Sequence, residues 1–318
     1  MIRVIRKISL KEPVLIAVWP GMGEVAVKCG LFLKKSLGFE LFAKVENTGF
    51  FPPQGVIVDK GLIHVPPIDE GSFYFYKRSP KKRDLILFLA QAQPPLDRSY
   101  EFGKLLIEFI SSYKVFRVFN FAAFPQAIQH TQTPGVWVSA THKEILEEFS
   151  SYNLKILEEG QISGLNGLFL GLAKEKGMKG ACFLGEIPFY TIQIENPKAS
   201  LAVLKIVDRY LELGLEFKEL EEKAVFLDNE INKLVGYLKG EVSPQESSPL
   251  SEEDIQRIKK ELERFTKLPQ SVRQNIEELF RKASQDLSYA SELKKLLDEW
   301  GIYKEYEDRF LDLFRKKS

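Results

Sequence analysis

The chain has 318 residues, 44% of them hydrophobic, which suits one large domain with an appendage or two modest domains. Its 45 basic residues are matched by 44 acidic ones, and a net charge of +1 excludes a nucleic-acid partner held by bulk charge. Cys29 and Cys182 lie in apolar surroundings and read as buried thiols of a reducing compartment, and no run reaches the roughly 18 apolar residues of a membrane span, so a cytoplasmic protein is expected.

The chain opens on an organising stretch, Val14 to Gly30. Val14–Trp19 is an unbroken apolar run, as in a strand covered on both faces. Pro20-Gly21 stops it, and Gly23 admits a helix packed close behind. A second strand is predicted over Phe39–Val45, ending at Glu46-Asn47, and a loop over Phe50-Phe51-Pro52-Pro53-Gln54. Val56-Ile57-Val58 and Leu62–Val65 flank Asp59-Lys60-Gly61, a hairpin signature. Phe73–Tyr76 is a further strand of this antiparallel insert.

Asp84–Leu89 then reads as a core strand with Gln91-Ala92-Gln93-Pro94-Pro95 as the loop at its end. A helix over Tyr100–Ser111, strands over Val115–Phe121 and Val136–Ala140, and a short helix over Lys143–Phe149 follow. Gly160–Gly164 leads into a helix over Leu165–Lys176, Ala181–Leu184 is a buried strand ending at Gly185-Glu186, and Asn196-Pro197 starts the last helix of the region. Strands alternating with helices imply a three-layer α/β fold around a mostly parallel sheet.

From Phe217 the pattern changes. Phe217, Leu220, Ala224, Leu227, Ile231, Leu234 and Leu238 recur at spacings of three and four, a heptad seam that serves either a coiled coil or packing on its own domain. The expected organisation is an α/β domain over 1–215, a long helix over 216–240, a polar linker over 241–250 and an all-helical extension over 251–318. That extension holds 15 acidic and 15 basic residues, so it is no basic arm.

Gly21-Met22-Gly23-Glu24-Val25-Ala26 matches the G-x-G-x-x-G/A phosphate turn, with Glu40 or Glu46 at the distance of a ribose-binding acid. Pro20 and the negative Glu24 favour a purely structural turn. Lys77-Arg78 with Lys81-Lys82-Arg83 reads as a solvated turn, and His64, His130 and His142 have no metal-ligand spacing. No metal or cofactor is expected. Pro20-Gly21, Gln91-Gln93-Pro94, Phe121–Pro125, Ser163-Gly164 and Gly185-Glu186 all fall just past predicted core strands, the edge where α/β sheets bind ligands. Glu186 is either a pocket carboxylate or the cap of the next segment.

Trp19-Pro20-Gly21-Met22-Gly23, Phe51-Pro52-Pro53, Arg83–Leu87, Gln91–Pro94, Ile162-Ser163-Gly164 with Gly167-Leu168, and Leu184-Gly185-Glu186 occur in that order. Together they resemble the proteasome assembly chaperone family of the second type, over residues 10–215. Leu268-Pro269, Ile276–Phe280 and Tyr306–Phe310 are similar to the C-terminal extension of its prokaryotic members. The resemblance implies a fold of the phosphorylase/hydrolase (purine nucleoside phosphorylase) type, homo-oligomers, and protein binding in place of catalysis. It marks Pro20, Gly21, Gly23, Phe51, Pro52, Pro53, Gln91, Gln93, Ser163, Gly164 and Glu186 as candidates for a pocket or partner surface. The alternative is a nucleoside- or nucleotide-binding protein using the strand-end pocket. Some archaeal members end in a hydrophobic-Tyr-any tripeptide that docks between proteasome α subunits. This chain ends Lys316-Lys317-Ser318, so the client stays open, proteasome subunits included.

Overall fold

A computed structural model describes residues 1–46, 49–51, 56–65, 70–239, 270–299 and 303–314. Pro52, Pro53, Asn47, the linker, Leu268-Pro269 and the terminal Lys316-Lys317-Ser318 fall outside them. The chain divides into two compact units, Met1–Pro249 and Leu250–Ser318.

The first unit is built on a nine-stranded sheet. Its strands are β1 (Ile2–Val4), β2 (Val14–Val18), β3 (Glu40–Val45), β6 (Ser72–Tyr76), β7 (Leu85–Leu89), β8 (Arg117–Gln126), β9 (Val136–Ala140), β10 (Lys155–Ile156) and β11 (Gly180–Pro188). A separate two-stranded ribbon holds β4 (Ile57–Asp59) and β5 (Leu62–His64). The sheet order is β1-β3-β6-β7-β2-β8-β11-β9-β10. Its centre, β7-β2-β8-β11, is parallel as expected. The flanks add antiparallel pairings, β6 on β7 and β9 on β11, so the sheet as a whole is mixed. The central run is parallel because α2 (Leu96–Ser111) must cross from β7 to β8 over β2.

Both faces are covered. On one lie α1 (Val25–Leu37) and α5 (Pro197–Leu211), on the other α2 and α4 (Leu165–Glu175). This double cover explains why Val14–Val18 and Leu85–Leu89 are apolar at every position: all ten residues are buried. Leu15, Ala17, Ile86 and Phe88 face α2 and α4, where Phe102, Leu106, Phe169 and Ala173 close the core.

Several elements differ from the sequence reading. β8 continues to Gln126 and β11 to Pro188, so Phe121–Pro125 and Gly185-Glu186 lie inside strands, not after them. Pro125 and Gly185 look like stops. However, β2 leaves β8 after Ala17↔Asn120, and beyond that point β8 pairs on one side only, where a proline's missing N–H costs no ladder bond. The helix predicted from Tyr100 starts at Leu96, straight after Pro95. The edge strands β1 and β10 carry no apolar run long enough to announce them.

From Leu220 the heptad seam lies on α6 (Lys218–Lys239) and turns inward as far as Ile231; the side chains of Leu234 and Leu238 lie outside those described. Leu220, Ala224 and Ile231 are buried, and the Phe217 ring stacks on Phe32 of α1 at 5.7 Å. Lys205–Glu221, Lys223–Glu195 and Lys198–Asp228 pairs line the contact. The basic turn is not merely solvated. Arg78 Nη2 donates to the carbonyls of Leu211 and Glu212 at 2.6 and 3.0 Å, and Lys82 pairs with Glu212 at 2.9 Å, so both cap the carboxyl end of α5.

The second unit contains α7 (Gln270–Gln285), α8 (Ala290–Glu299) and α9 (Tyr303–Asp312). Ile276, Leu279, Phe280, Leu293, Leu297 and Phe310 form its core. Arg309 clamps Glu277 with two bonds of 2.6 Å, tying α9 to α7.

Candidate functional site: a strand-end crevice filled by the chain

In a doubly wound sheet the ligand crevice opens where the connections diverge to opposite sides. Here β2 runs through α1 toward the β3 flank, while β7 runs through α2 across to β8. The switch point is therefore the gap between the carboxyl ends of β2 and β8, and the opening Trp19–Gly23 turn lies at its lip.

The chain fills this gap with its own side chains. Asn166, in the first turn of α4, is buried; its Oδ1 accepts from Trp19 N and its Nδ2 donates to Trp19 O, each at 3.0 Å. The amide thus acts as a one-residue surrogate strand for β2. Asn120 Nδ2 likewise donates to Ala17 O at 2.9 Å where the two strands part. The Trp19 indole is fully buried between Phe88 and Phe169, with ring centroids 5.1 and 5.2 Å away. Trp19 Nε1 and Asn120 Oδ1 have no hydrogen-bond partner among the described residues, a cost the surrounding aromatic packing offsets.

Gln93 closes the next layer. Its Nε2 donates to Pro20 O at 2.6 Å and its Oε1 accepts from Leu165 N at 3.0 Å, joining the loops after β2 and β7 to the start of α4. Gly164 makes this possible: its φ is +68°, and a Cβ there would sit 2.5 Å from Gln93 Oε1. On the other side, Gly23 N donates to Ile192 O at 2.7 Å and Asn196 N to Gly23 O at 2.8 Å.

A phosphate turn needs free amides, and two of those here are spent. Besides Gly23 N, Glu24 N donates to Gly21 O at 3.0 Å. Glu24 and Glu195 flank Lys28 at 3.1 and 2.9 Å, so carboxylates crowd the start of α1 where an anion would need room. The turn is structural.

The structure therefore brings Pro20, Gly21, Gln93 and Gly164 together; a Cβ on Gly21 would approach Asn166 Nδ2 at 3.3 Å. Ser163 and Gln91 lie at the exposed rim. Phe51 is buried edge-on against Phe102 of α2 at 5.2 Å.

Glu186 belongs to a different group. Its Oε2 accepts from Gly135 N at 2.7 Å, and its Oε1 accepts from Trp137 Nε1 and Lys155 Nζ, each at 2.7 Å. Burial by itself would raise its pKa, but these three donors outweigh it and hold the carboxyl below its ordinary 4.5. The ionised group pins β9 and β10 to β11, and its oxygens are engaged by the protein.

Beside it runs a solvent-open cleft of about 330 Å³, lined by Ile128, Pro134, Pro188, Leu227 and Ile231 among others. Its polar groups are also paired. Lys198 bonds Asp228 at 2.5 Å, and the His130 ring lies 2.8 Å from both Tyr190 Oη and Asn232 Oδ1. His130 N also donates to Tyr190 Oη at 2.8 Å, so backbone and ring of His130 both engage that hydroxyl. Among the described residues no three His, Cys, Asp or Glu side chains gather as a metal would require, and no helix is long and apolar enough to cross a membrane.

Asn166 and Asn120 were missed by sequence reasoning. A polar Asn inside the apolar run Val118–Phe121 was the available signal.

Such a fold, a doubly covered α/β sheet whose switch point is plugged from within, defines a class of α/β proteins that keeps the layout of a ligand-binding sheet without its open crevice. The match to a family model over residues 15–235 is specific: the chain belongs to the PAC2 family. It is 26% identical over 264 residues to an uncharacterised protein of Methanocaldococcus jannaschii, covering 81% of this chain and 98% of that one. Among solved structures it is similar to Pyrococcus furiosus PbaB, described as an archaeal proteasome activator, at 25% identity and TM-score 0.64, over 74% of this chain and 98% of that one. Pyrococcus furiosus PbaA, described as an archaeal homolog of proteasome-assembly chaperone, matches at 23% identity and TM-score 0.57, over 74% and 96% of the two chains, and shares the fold. The resemblance of the ordered motifs is thus confirmed at the level of family.

Proposed function

We propose that this protein is a non-catalytic, self-associating assembly factor that binds proteasome-related subunits. The observation that carries the reading is the plugged switch point: Asn166, Trp19 and Gln93 occupy the crevice where an α/β enzyme would hold its substrate. Its direction toward the proteasome comes from family membership and from the similarity to PbaB, a proteasome activator, and PbaA, a homolog of proteasome-assembly chaperone. We read the α/β unit as a silent relative of the phosphorylase/hydrolase type, and the helical second unit as an extension for protein contacts.

The full chain mixed with proteasome α subunits of its native host is expected to co-sediment with them. Thermal-shift screening against nucleosides, nucleotides and dinucleotides is expected to give no stabilisation. A real ligand at 100 times its Kd would add about 2.7 kcal/mol. A shift of that size, with no subunit bound, would overturn the reading in favour of a small-molecule site.

A further inference from the structure

The central strands begin at one end of the sheet, opposite the plugged crevice. β7, β2, β8 and β11 run parallel, and β6 runs against β7 with Tyr76 level with Leu85, so β6 ends where the others begin. The segments at these five strand ends are residues 77–84, 11–13, 114–116 and 177–179, and they hold eight basic residues against two acidic ones. In a chain of 45 basic and 44 acidic residues that is a local excess. Part of it is engaged within the fold. Lys82, Arg83, Arg117 and Lys179 pair with Glu212, Glu12, Glu148 and Glu144, and Arg78 caps α5. The buried Asp84 carboxylate accepts from Lys11 N and Arg78 N at 2.8 Å each, and Lys11 Nζ donates to Pro80 O at 2.6 Å, so two of the basic loops are braced together. Lys77, Lys81 and Lys114 remain, exposed and with no carboxylate partner among the described residues. Arg83 stands beside them. Its guanidinium carbon lies 3.5 Å from the Phe116 ring centroid, and that of Arg117 lies 4.0 Å from the same centroid, which holds the cation in place. Its Glu12 partner is 3.4 Å away with both side chains open to solvent, a weak pairing.

We propose that this basic row binds an extended acidic stretch of a partner polypeptide. A strand spacing of about 4.8 Å sets the five ends across about 19 Å, the reach of about six residues of extended chain. The unpaired cations are lysines, point charges that accept carboxylates from any approach and lack the fork that selects phosphate. Phe116 is the aromatic residue of these segments, and two guanidiniums already lie against its ring, so it offers no face on which a base could stack. Among the described residues, none of the exposed large apolar side chains falls in these segments, so nothing here inserts into a lipid surface. A run of carboxylates is therefore a better match than a nucleic acid or a bilayer. The inference goes beyond the function proposed above and does not depend on which client that function serves.

The test uses the full chain and fluorescein-labelled hexaglutamate, read by fluorescence anisotropy. Wild type is expected to bind the peptide and to lose affinity as salt rises from about 0.05 to about 0.3 M. Lys81→Glu with Lys114→Glu is expected to weaken binding at least about tenfold, and Lys81→Gln with Lys114→Gln by a smaller factor. Lys60→Glu with Arg281→Glu, in the ribbon turn and in the second unit, changes the net charge as much as the first pair and is expected to bind as wild type does. All four positions are exposed, so melting curves by circular dichroism are expected to match wild type and to separate lost binding from lost folding. Oligothymidylate and vesicles containing anionic lipid, run beside the peptide at the same salt, are expected to bind more weakly. Absent binding of hexaglutamate at the lower salt, undiminished binding by the row variants, or an equal loss in the control pair overturns the proposal. Tighter binding of oligothymidylate or vesicles, lost in the same row variants, assigns the surface to a phosphate ligand and also overturns it.

Discussion

Replacing Asn166 tests the plugged crevice most directly. Its side chain satisfies both the N–H and the C=O of Trp19 in a fully buried setting. Asn166→Ala leaves two backbone groups unpaired, each costing about 1–3 kcal/mol, so a loss of roughly 3–4 kcal/mol is expected. In a unit of this size that lowers Tm by about 6–16 °C. Asn166→Asp refines the argument. A protonated Asp reproduces both bonds, its carbonyl accepting from Trp19 N and its hydroxyl donating to Trp19 O. An ionised Asp loses the donor and places its charge against that carbonyl. The folded-state pKa of the new carboxyl is thus raised above its unfolded value of about 3.9. Stability from the protonated form is fully present below that unfolded value and is lost as pH rises through the folded one. Urea unfolding followed by tryptophan fluorescence should therefore show Asn166→Asp gaining on wild type as pH falls from 7 toward 5. A flat difference across that range, or an Asn166→Ala cost below about 1 kcal/mol, would refute the idea that this amide substitutes for a strand.

Gly164→Ala combines a left-handed backbone with a clash against Gln93 Oε1, and should cost about 1–3 kcal/mol in the same unfolding assay while Gly171→Ala, in open space on α4, costs nothing or stabilises. Glu186 carries a pKa held below 4.5, so its contribution is present above that value and lost as pH falls through the folded pKa. Glu186→Gln has one acceptor oxygen for three donors and is expected to lose about 1–3 kcal/mol at pH 7, with a correspondingly shallower acid limb in pH-dependent melts. Leu220→Ala on α6 should destabilise by about 2–3 kcal/mol if the seam packs on its own domain, and removing the ion pair at the exposed Lys205–Glu221 by less than about 1 kcal/mol, both read by chemical denaturation.

Much of the central sheet was legible because its strands are buried on both faces. Val14–Val18 and Leu85–Leu89 have no choice but to be apolar throughout, and such runs are visible without a partner. Asn196-Pro197 was equally clear, since the Asn196 side chain accepts from Ala199 N as a capping residue should. The edge strands were not legible: β1 and β10 are held by neighbours already in place, so their own residues need little β-forming character. The same holds for the end of β8, where Pro125 survives inside a ladder because one side of β8 is open, while Gly185 of β11 admits the close approach of Ala199 on α5. Spacing on α6 fixed which residues share a face, but not what that face meets. Only the rings and ion pairs of α1 and α5 decide that it meets its own domain.

The candidate site was half legible, and the missing half reverses its meaning. The residues that sequence picks out, Pro20, Gly21, Gly23 and Gln93, are those that a phosphate turn and a plugged turn have in common. Both need a stop after the strand, a glycine for close approach, and a polar side chain nearby. What separates the two is where the amides point. In a phosphate turn they converge on empty space, whereas here Gly23 N and Glu24 N end on the carbonyls of Ile192 and Gly21. That is a long-range fact, because Ile192 arrives from the loop after β11 and Asn166 from α4. A turn gripped from both sides by its own chain has two of its amides, those of Gly23 and Glu24, already engaged. Its contribution is to hold α1 and α4 in fixed register on the sheet.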